Sequence, residues 1–405
     1  MADKEKPIPA AGVPLAPTNA AKEVQPAVEL GLPEHIKKEY LTMLHGKGER
    51  ALAGISGRDF TPNAYNDDQA ILERQGVTIV AHGLSAENTP GSKFGVAEHK
   101  LMSVMAAEFT RNNNTAPRPY NRKATNLKVA INFKWYARQI GFNIDEQPKE
   151  TEEEQQKEAR RAKNALKEAR KKITRTVRTL FNTTVTFSEE ITAKNGTKKL
   201  YEIADAHIID AIPKQVIVGD YIPLVMGATY GAYLIQRQMT QYPKCLLGID
   251  ERSPAAYAVG CKIAEQYHND TNRRQGRNDR LKVETLLNVT TLPGIKEVRH
   301  TGKSWEERIK DPLETALNQN VAIGHIKKWG YRLNDNAQPN TPEWCMPANK
   351  MKWSGYEQWE AATITFETNN PPDTSERDEK KAKRIEKQKA AKEKEPRGGT
   401  SEKRA

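Results

Sequence analysis

Cysteine is scarce. Cys245, Cys261 and Cys345 are the 3 cysteines in 405 residues. They stand too far apart for a disulfide framework or a zinc-ligand spacing, and so few thiols suit a reducing compartment. Long apolar runs are missing as well. Nothing reaches the roughly 18 apolar residues that cross a bilayer. The nearest approach, Tyr221 to Ile235, is broken by Pro223, Gly227 and Gly231. The first residues lack the apolar stretch of a secretory signal. A cytoplasmic protein with no membrane association is therefore expected. Apolar residues make up 37% of the chain, below the roughly 45–50% usual in globular proteins, so much of it must be solvated. Aromatic residues are 7% and are not interleaved with cations, as stacking on single strands or RNA requires.

Catalytic and ligand constellations are absent too. The 8 histidines are His35, His45, His82, His99, His207, His268, His300 and His325, and none is paired at metal-ligand spacing. A rolling-circle nickase would place two histidines around one bulky residue, but Ile209 stands where His207 would need its partner. Gly302-Lys303-Ser304 looks like the end of a phosphate loop, yet the first glycine of that motif would fall on Glu297. There is no nucleophile elbow. The acid pairs Glu189-Glu190 and Glu306-Glu307 read as helix-end or surface charge. The expectation is a protein that is not an enzyme and holds neither cofactor nor metal.

What the chain does have is positive charge: 64 Lys and Arg against 52 Asp and Glu, net +12. Without a membrane anchor, such charge points to a polyanion, most often nucleic acid. It concentrates in Thr151 to Phe181. Glu152, Glu153 and Glu154 suit the positive end of a helix dipole and the later cations its negative end. Leu166, Ala169, Ile173, Val177 and Leu180 step by three or four, giving one apolar stripe on a helix about 45 Å long. From Lys157 to Arg178 the only acids are Glu158 and Glu168. Arg160, Arg161, Lys163, Lys167, Arg170, Lys171, Arg175 and Arg178 are the candidate DNA contacts, since a helix fits the major groove of a duplex. Lys167, Arg170 and Lys171 are expected to flank the stripe on the DNA-facing side.

Around this helix the patterns order themselves twice. Leu101, Val104, Met105 and Phe109 give an amphipathic helix from Glu98. Leu127, Val129 and Ile131 alternate as a strand, and a short helix ends at Gly141. After the long helix, Val185 to Phe187 and Leu200 to Ile203 flank Asn195-Gly196, a strong hairpin signal. This is a winged helix-turn-helix order, with the hairpin as wing and Lys198 and Lys199 as its cations. The segment Ile208 to Ile235 would join it to a second region. That region opens at Ser253-Pro254, a helix start. A loop with Arg273, Arg274, Arg277 and Arg280 follows, then a short helix at Val283 to Leu287. Ser304 to Glu307 is a capping box, with Pro312 in the helix after it. Strands fit Ile326 to Leu333 and Ala362 to Phe366. Arg273, Arg274 and Arg277 complete the candidate contacts. Residues 1–30, rich in Pro and Ala, and 371–405, with mixed charge, read as disordered tails. The expected fold class is α+β: two tandem winged helix-turn-helix domains, 96–212 and 213–370, with disordered N- and C-terminal tails. Residues 31–95 form an N-terminal extension of unassigned role.

The run from Glu98 through the basic helix and hairpin resembles the N-terminal winged helix of plasmid replication initiators. Ser253-Pro254-Ala255-Ala256-Tyr257-Ala258-Val259-Gly260 and Arg308-Ile309-Lys310-Asp311-Pro312-Leu313-Glu314 resemble the C-terminal winged helix of initiator proteins of plasmids and mobile elements in Gram-positive bacteria. The resemblance spans roughly 95–367. It implies sequence-specific double-stranded DNA binding to origin repeats, two winged helices gripping successive major grooves, strand opening and recruitment of host replication machinery. It also implies a homodimer that exchanges with an initiating monomer. A transcriptional or partition regulator of a mobile element is the competing reading.

Overall fold

The computed structural model describes residues 40–45, 52–53, 61–63, 66–74, 77–81, 94–113, 124, 126–145, 151–192, 198–269, 272, 275–334, 336, 338, 341 and 343–369. The expected tails, 1–30 and 371–405, lie outside them. Met1–Asn369 group as one unit and Asn370–Ala405 as another, and every described residue belongs to the first. The fold is mixed α+β, with small antiparallel sheets.

Strands β1 (Tyr40–His45), β2 (Thr61–Asn63), β3 (Asn66–Arg74) and β4 (Val77–Ala81) fall in the stretch that the sequence leaves unassigned. Helix α1 (Val96–Asn113) follows. Its apolar face is buried as expected, but Glu98, His99, Lys100, Ser103 and Glu108 are buried as well. Strand β5 (Lys128–Asn132) runs straight into α2 (Phe133–Gln139), where the Asn132 side chain accepts from the Trp135 amide. Gly141 then reverses the chain at φ 94°, a left-handed conformation that favours glycine. Helix α3 (Glu152–Phe181) is capped by Thr151, whose side chain accepts from the Glu154 amide at 3.3 Å.

The hairpin is present as β6 (Thr183–Thr192) and β7 (Lys198–His207), with Asn195-Gly196 outside the described residues. It does not stand alone as the sequence implies. β4 pairs along β6, from Val77 opposite Phe187 to Ala81 opposite Thr183, in a five-stranded sheet ordered β2-β3-β4-β6-β7. The expected connector is also folded, into β8 (Ile209–Ala211), β9 (Tyr221–Met226), α4 (Ala228–Ile235) and β10 (Gln238–Pro243). β9 pairs with β5 and β10 pairs with β1. Sheet hydrogen bonds therefore cross the boundary read between 212 and 213.

The rest of the chain is α5 (Pro254–His268), β11 (Arg280–Lys282), α6 (Val283–Leu287), α7 (Ile295–His300), one π-helical turn (Glu306–Lys310), α8 (Asp311–Ala322), β12 (Ile326–Tyr331), α9 (Tyr356–Glu360) and β13 (Thr363–Thr368). Ser253 precedes α5 but makes no side-chain cap bond. Ser304 does cap, accepting from the Glu306 amide at 3.2 Å. Pro312 has no amide to donate. The π turn just before it shifts the ladder, so that the Asp311 amide donates to the Glu306 carbonyl.

One order of elements occurs twice. Helix α1, strand β5, short helix α2, long helix α3 and strands β8 and β9 are matched by α5, β11, α6, the helix from Glu306 to Ala322, β12 and β13. Each set makes a three-stranded sheet in which the first strand pairs with the last: β5-β9-β8 and β11-β13-β12. Even the backbone bond that joins the short helix to the last strand recurs. Phe133 N donates to Asp220 O at 2.7 Å, and Val283 N to Ala362 O at 2.9 Å. In the first set, β6 and β7 are inserted between the long helix and the second strand; in the second set, α7 lies between the short and the long helix and α9 between the last two strands.

Gly260 of α5 packs tightly against Asn320 of α8. A Cβ there would lie 2.4 Å from Asn320 Oδ1 and 2.5 Å from Leu246 Cδ2. Asn320 cannot yield easily, because its buried amide donates to Ala256 O at 2.8 Å and Ala316 O at 2.9 Å. Gly260→Ala should destabilise the protein by roughly 1–3 kcal/mol, the usual cost of overpacking. Gly248→Ala, where the new carbon would meet only Gln139 O at 3.8 Å, should change stability by less than about 0.5 kcal/mol. Thermal or urea unfolding of the two variants measures the difference.

Candidate nucleic-acid interface

Helix α3 has two faces of opposite character. Ala169, Ile173, Val177 and Leu180 are buried, with Leu166 half-buried beside them. Arg160, Lys163, Lys167, Lys171, Arg175 and Arg178 are all exposed. At about 100° per residue these six fall within an arc of roughly 120° on the side opposite the buried stripe, and they run for about 27 Å along the axis. No acid interrupts that arc within its span: Glu158 is buried and pairs with Arg161 at 3.5 Å, and Glu168 lies on the flank. The spacing brings neighbouring cations together at i, i+3 and i, i+4, which costs stability in the isolated helix. Burial of the opposite face offsets that cost.

Three cations, Arg161, Arg170 and Lys172, lie outside the arc. Arg170, expected on the DNA-facing side, is half-buried, with its guanidinium 5.0 Å from the Phe133 ring centroid. A residue next to a buried stripe lies at the boundary of the core, and here α2 supplies an aromatic face that holds the guanidinium there. Lys172, on the other flank, pairs with Glu251 at 2.8 Å and lies 5.6 Å from the Phe142 ring. Arg161 is exposed but committed to Glu158. Lys198 and Lys199 sit on β7, opposite Thr192 and Ile191. Arg273 and Arg274 lie outside the described residues. Arg277 is exposed, in a turn tied to α5 by Gln266 Nε2, which donates to its carbonyl at 2.7 Å. Arg280 pairs with Asp279 at 3.0 Å.

Beneath the basic helix lies a polar cluster that the sequence does not reveal. His99 Nδ1 and Tyr242 Oη each lie 2.8 Å from Tyr257 Oη. Lys100 Nζ donates to the Ile249 carbonyl. Glu98 Oε2 accepts from the Gly95 amide at 2.9 Å. Burial pushes Glu98 up to about 7, with Glu251 nearby adding to the shift. Burial likewise brings Lys100 down to about 8. It keeps the Tyr242 and Tyr257 hydroxyls protonated and pushes the Cys261 thiol up to about 12. With Lys172–Glu251, the cluster ties α1 and α3 to the segment that opens α5. Its spacing in sequence, from Glu98 to Cys261, leaves no local signal.

Among the described residues, no group of three His, Cys, Asp or Glu side chains gathers as a metal site. No helix among them is long and apolar enough to cross a membrane. No protein-family model, curated protein or solved structure matches the chain.

The raised Glu98 has a measurable consequence. Its carboxyl holds a proton to higher pH when folded than when unfolded. The stability this contributes is complete below about 4.5 and lost as pH rises through about 7. Glu98→Gln keeps an acceptor for Gly95 and removes the charge. The variant should be more stable than wild type at pH 8 by roughly 1–3 kcal/mol, with the advantage gone near pH 4. Urea unfolding at the two pH values decides it.

Proposed function

We propose that the protein is a non-enzymatic, sequence-specific double-stranded DNA-binding protein of the replication-initiator type, built on two winged-helix repeats. The observation that carries the reading is the exposed stripe Arg160, Lys163, Lys167, Lys171, Arg175 and Arg178, opposite the buried stripe of the same helix. A duplex offers one phosphate charge per about 1.7 Å of axis. A helix that lines six cations along one face for about 27 Å, with no acid among them, presents a matching row of positive charge. Support for the winged-helix repeats comes from the twice-used order of elements and the shared sheet order, first strand paired with last. The wing of the first repeat is then the turn between β8 and β9, residues 212–220, and the β6–β7 hairpin is an insertion. Binding at origin repeats, strand opening, recruitment of host replication proteins and a dimer exchanging with a monomer follow from the resemblance to plasmid initiators.

The test replaces Lys163, Lys167 and Lys171 together by Ala. Each is exposed, and such changes cost within about 0.5 kcal/mol apiece, so the fold should stand. Affinity for a duplex selected from a random pool should fall at least about tenfold near 0.1 M salt, as three phosphate contacts are lost. Unchanged affinity in a folded variant would remove α3 from the interface. Wild-type protein with supercoiled DNA and a divalent cation should leave the DNA unnicked, whereas nicking lost on mutation of a single Tyr or His would make it an enzyme.

A further inference from the structure

The long helices of the two repeats sit in the same setting. From 167 to 178 the residues of α3 alternate between exposed, half-buried and buried in a pattern that 307 to 318 reproduce position for position. Ile309, Leu313, Ala316 and Leu317 stand where Ala169, Ile173, Thr176 and Val177 stand. The exposed positions can therefore be compared directly. In the first repeat they are Lys167, Glu168, Lys171, Arg175 and Arg178. In the second they are Glu307, Arg308, Asp311, Thr315 and Asn318. Both lysines, 167 and 171, are replaced by acids, the last two arginines by neutral residues, and Glu168 by Arg308, so the net outward charge falls from +3 to −1. The cation matching Arg170 is Lys310, and it is spent on Asp311 at 3.2 Å and Glu314 at 3.9 Å. Asn318 is occupied too, accepting from Trp329 Nε1 at 2.9 Å.

Two helices held in one register by one fold, with opposite outward charge, cannot both lie along a phosphate backbone. We infer that the duplex is gripped asymmetrically. α3 is the one long helix laid on the DNA, and the helix from Glu306 to Ala322 faces away from it. The inference rests on the proposed duplex binding by α3, and it replaces the expectation of two equivalent helices in successive major grooves. The second repeat is then free of the need to match a groove. It contributes through its packing on the first repeat, by way of Tyr257, Tyr242 and the Lys172–Glu251 pair.

A photo-crosslinking residue tests this in the full-length protein. It is placed at Asn164 on the outer side of α3, or at Thr315, the exposed counterpart of Arg175. The probe is a random-sequence duplex at low salt, where backbone contacts dominate. Crosslinking from 164 and none above background from 315 is expected. Equal yield from both positions would overturn the asymmetry while leaving α3 on the DNA. Yield from 315 alone, or from neither while gel shift shows binding, would overturn the α3 interface itself. A second measurement does not depend on the probe residue. Glu307→Gln with Asp311→Asn should leave duplex affinity within about twofold of wild type, as expected of exposed side chains outside an interface. Tightening beyond about fivefold would mean that the acids face phosphate and the inference fails.

Discussion

A helix buried on every side must find a partner for each polar group it takes inside, because an unpaired one costs several kcal/mol. Helix α1 is under that constraint, and the rest of the fold is arranged around it. Glu98 receives the Gly95 amide, and His99 meets Tyr257. Lys100 reaches Ile249, Thr110 receives the Leu44 amide and Glu108 holds Arg111 at 2.7 Å. Asn113 both donates to and accepts from the Asn126 backbone. Apart from Gly95 and Arg111, which are local, these partners come from β1, from the approach to β5, and from the segment around α5. Satisfying one helix thus fixes elements that are more than a hundred residues apart.

Helix α3 inherits its orientation from this arrangement. Its apolar stripe closes the core over α1, and Arg170 and Lys172 hold its two flanks on Phe133 and Glu251. Rotation about its axis would unbury Ile173 and Val177 and break both flank contacts. The outer cations are therefore presented in one fixed line. For a surface that meets a regular array of phosphates, such rigidity limits the entropy lost on binding.

Much of α3 is legible in the sequence, because its stripe and its charge gradient both lie within one short window. β5, α2 and the turn at Gly141 are legible for the same reason. The pairing of β4 with β6 is not, since a strand's second neighbour leaves no mark on its own residues. The segment 208–235 reads as a connector because a strand covered on both faces is uniformly apolar and shows no alternation. In α1, Glu98, Lys100 and Ser103 read as a wetted side, and only tertiary partners reveal them as core. Helical periodicity alone puts Arg170 outward. The ring that holds it belongs to Phe133, on another helix. The matched register of residues 167–178 and 307–318 is invisible to sequence comparison, because it is a repeat of burial and not of residue type.

The central claim is that six cations on one helix face meet a phosphate backbone. The dependence of duplex affinity on salt tests it most directly, because each neutralised phosphate adds about −0.9 to the slope of log K against log salt concentration. The line Arg160, Lys163, Lys167, Lys171, Arg175 and Arg178 predicts a slope of about −5 for the full-length protein on duplex DNA. A slope shallower than about −2 would mean that these side chains stay in water when the protein binds, and would contradict the account.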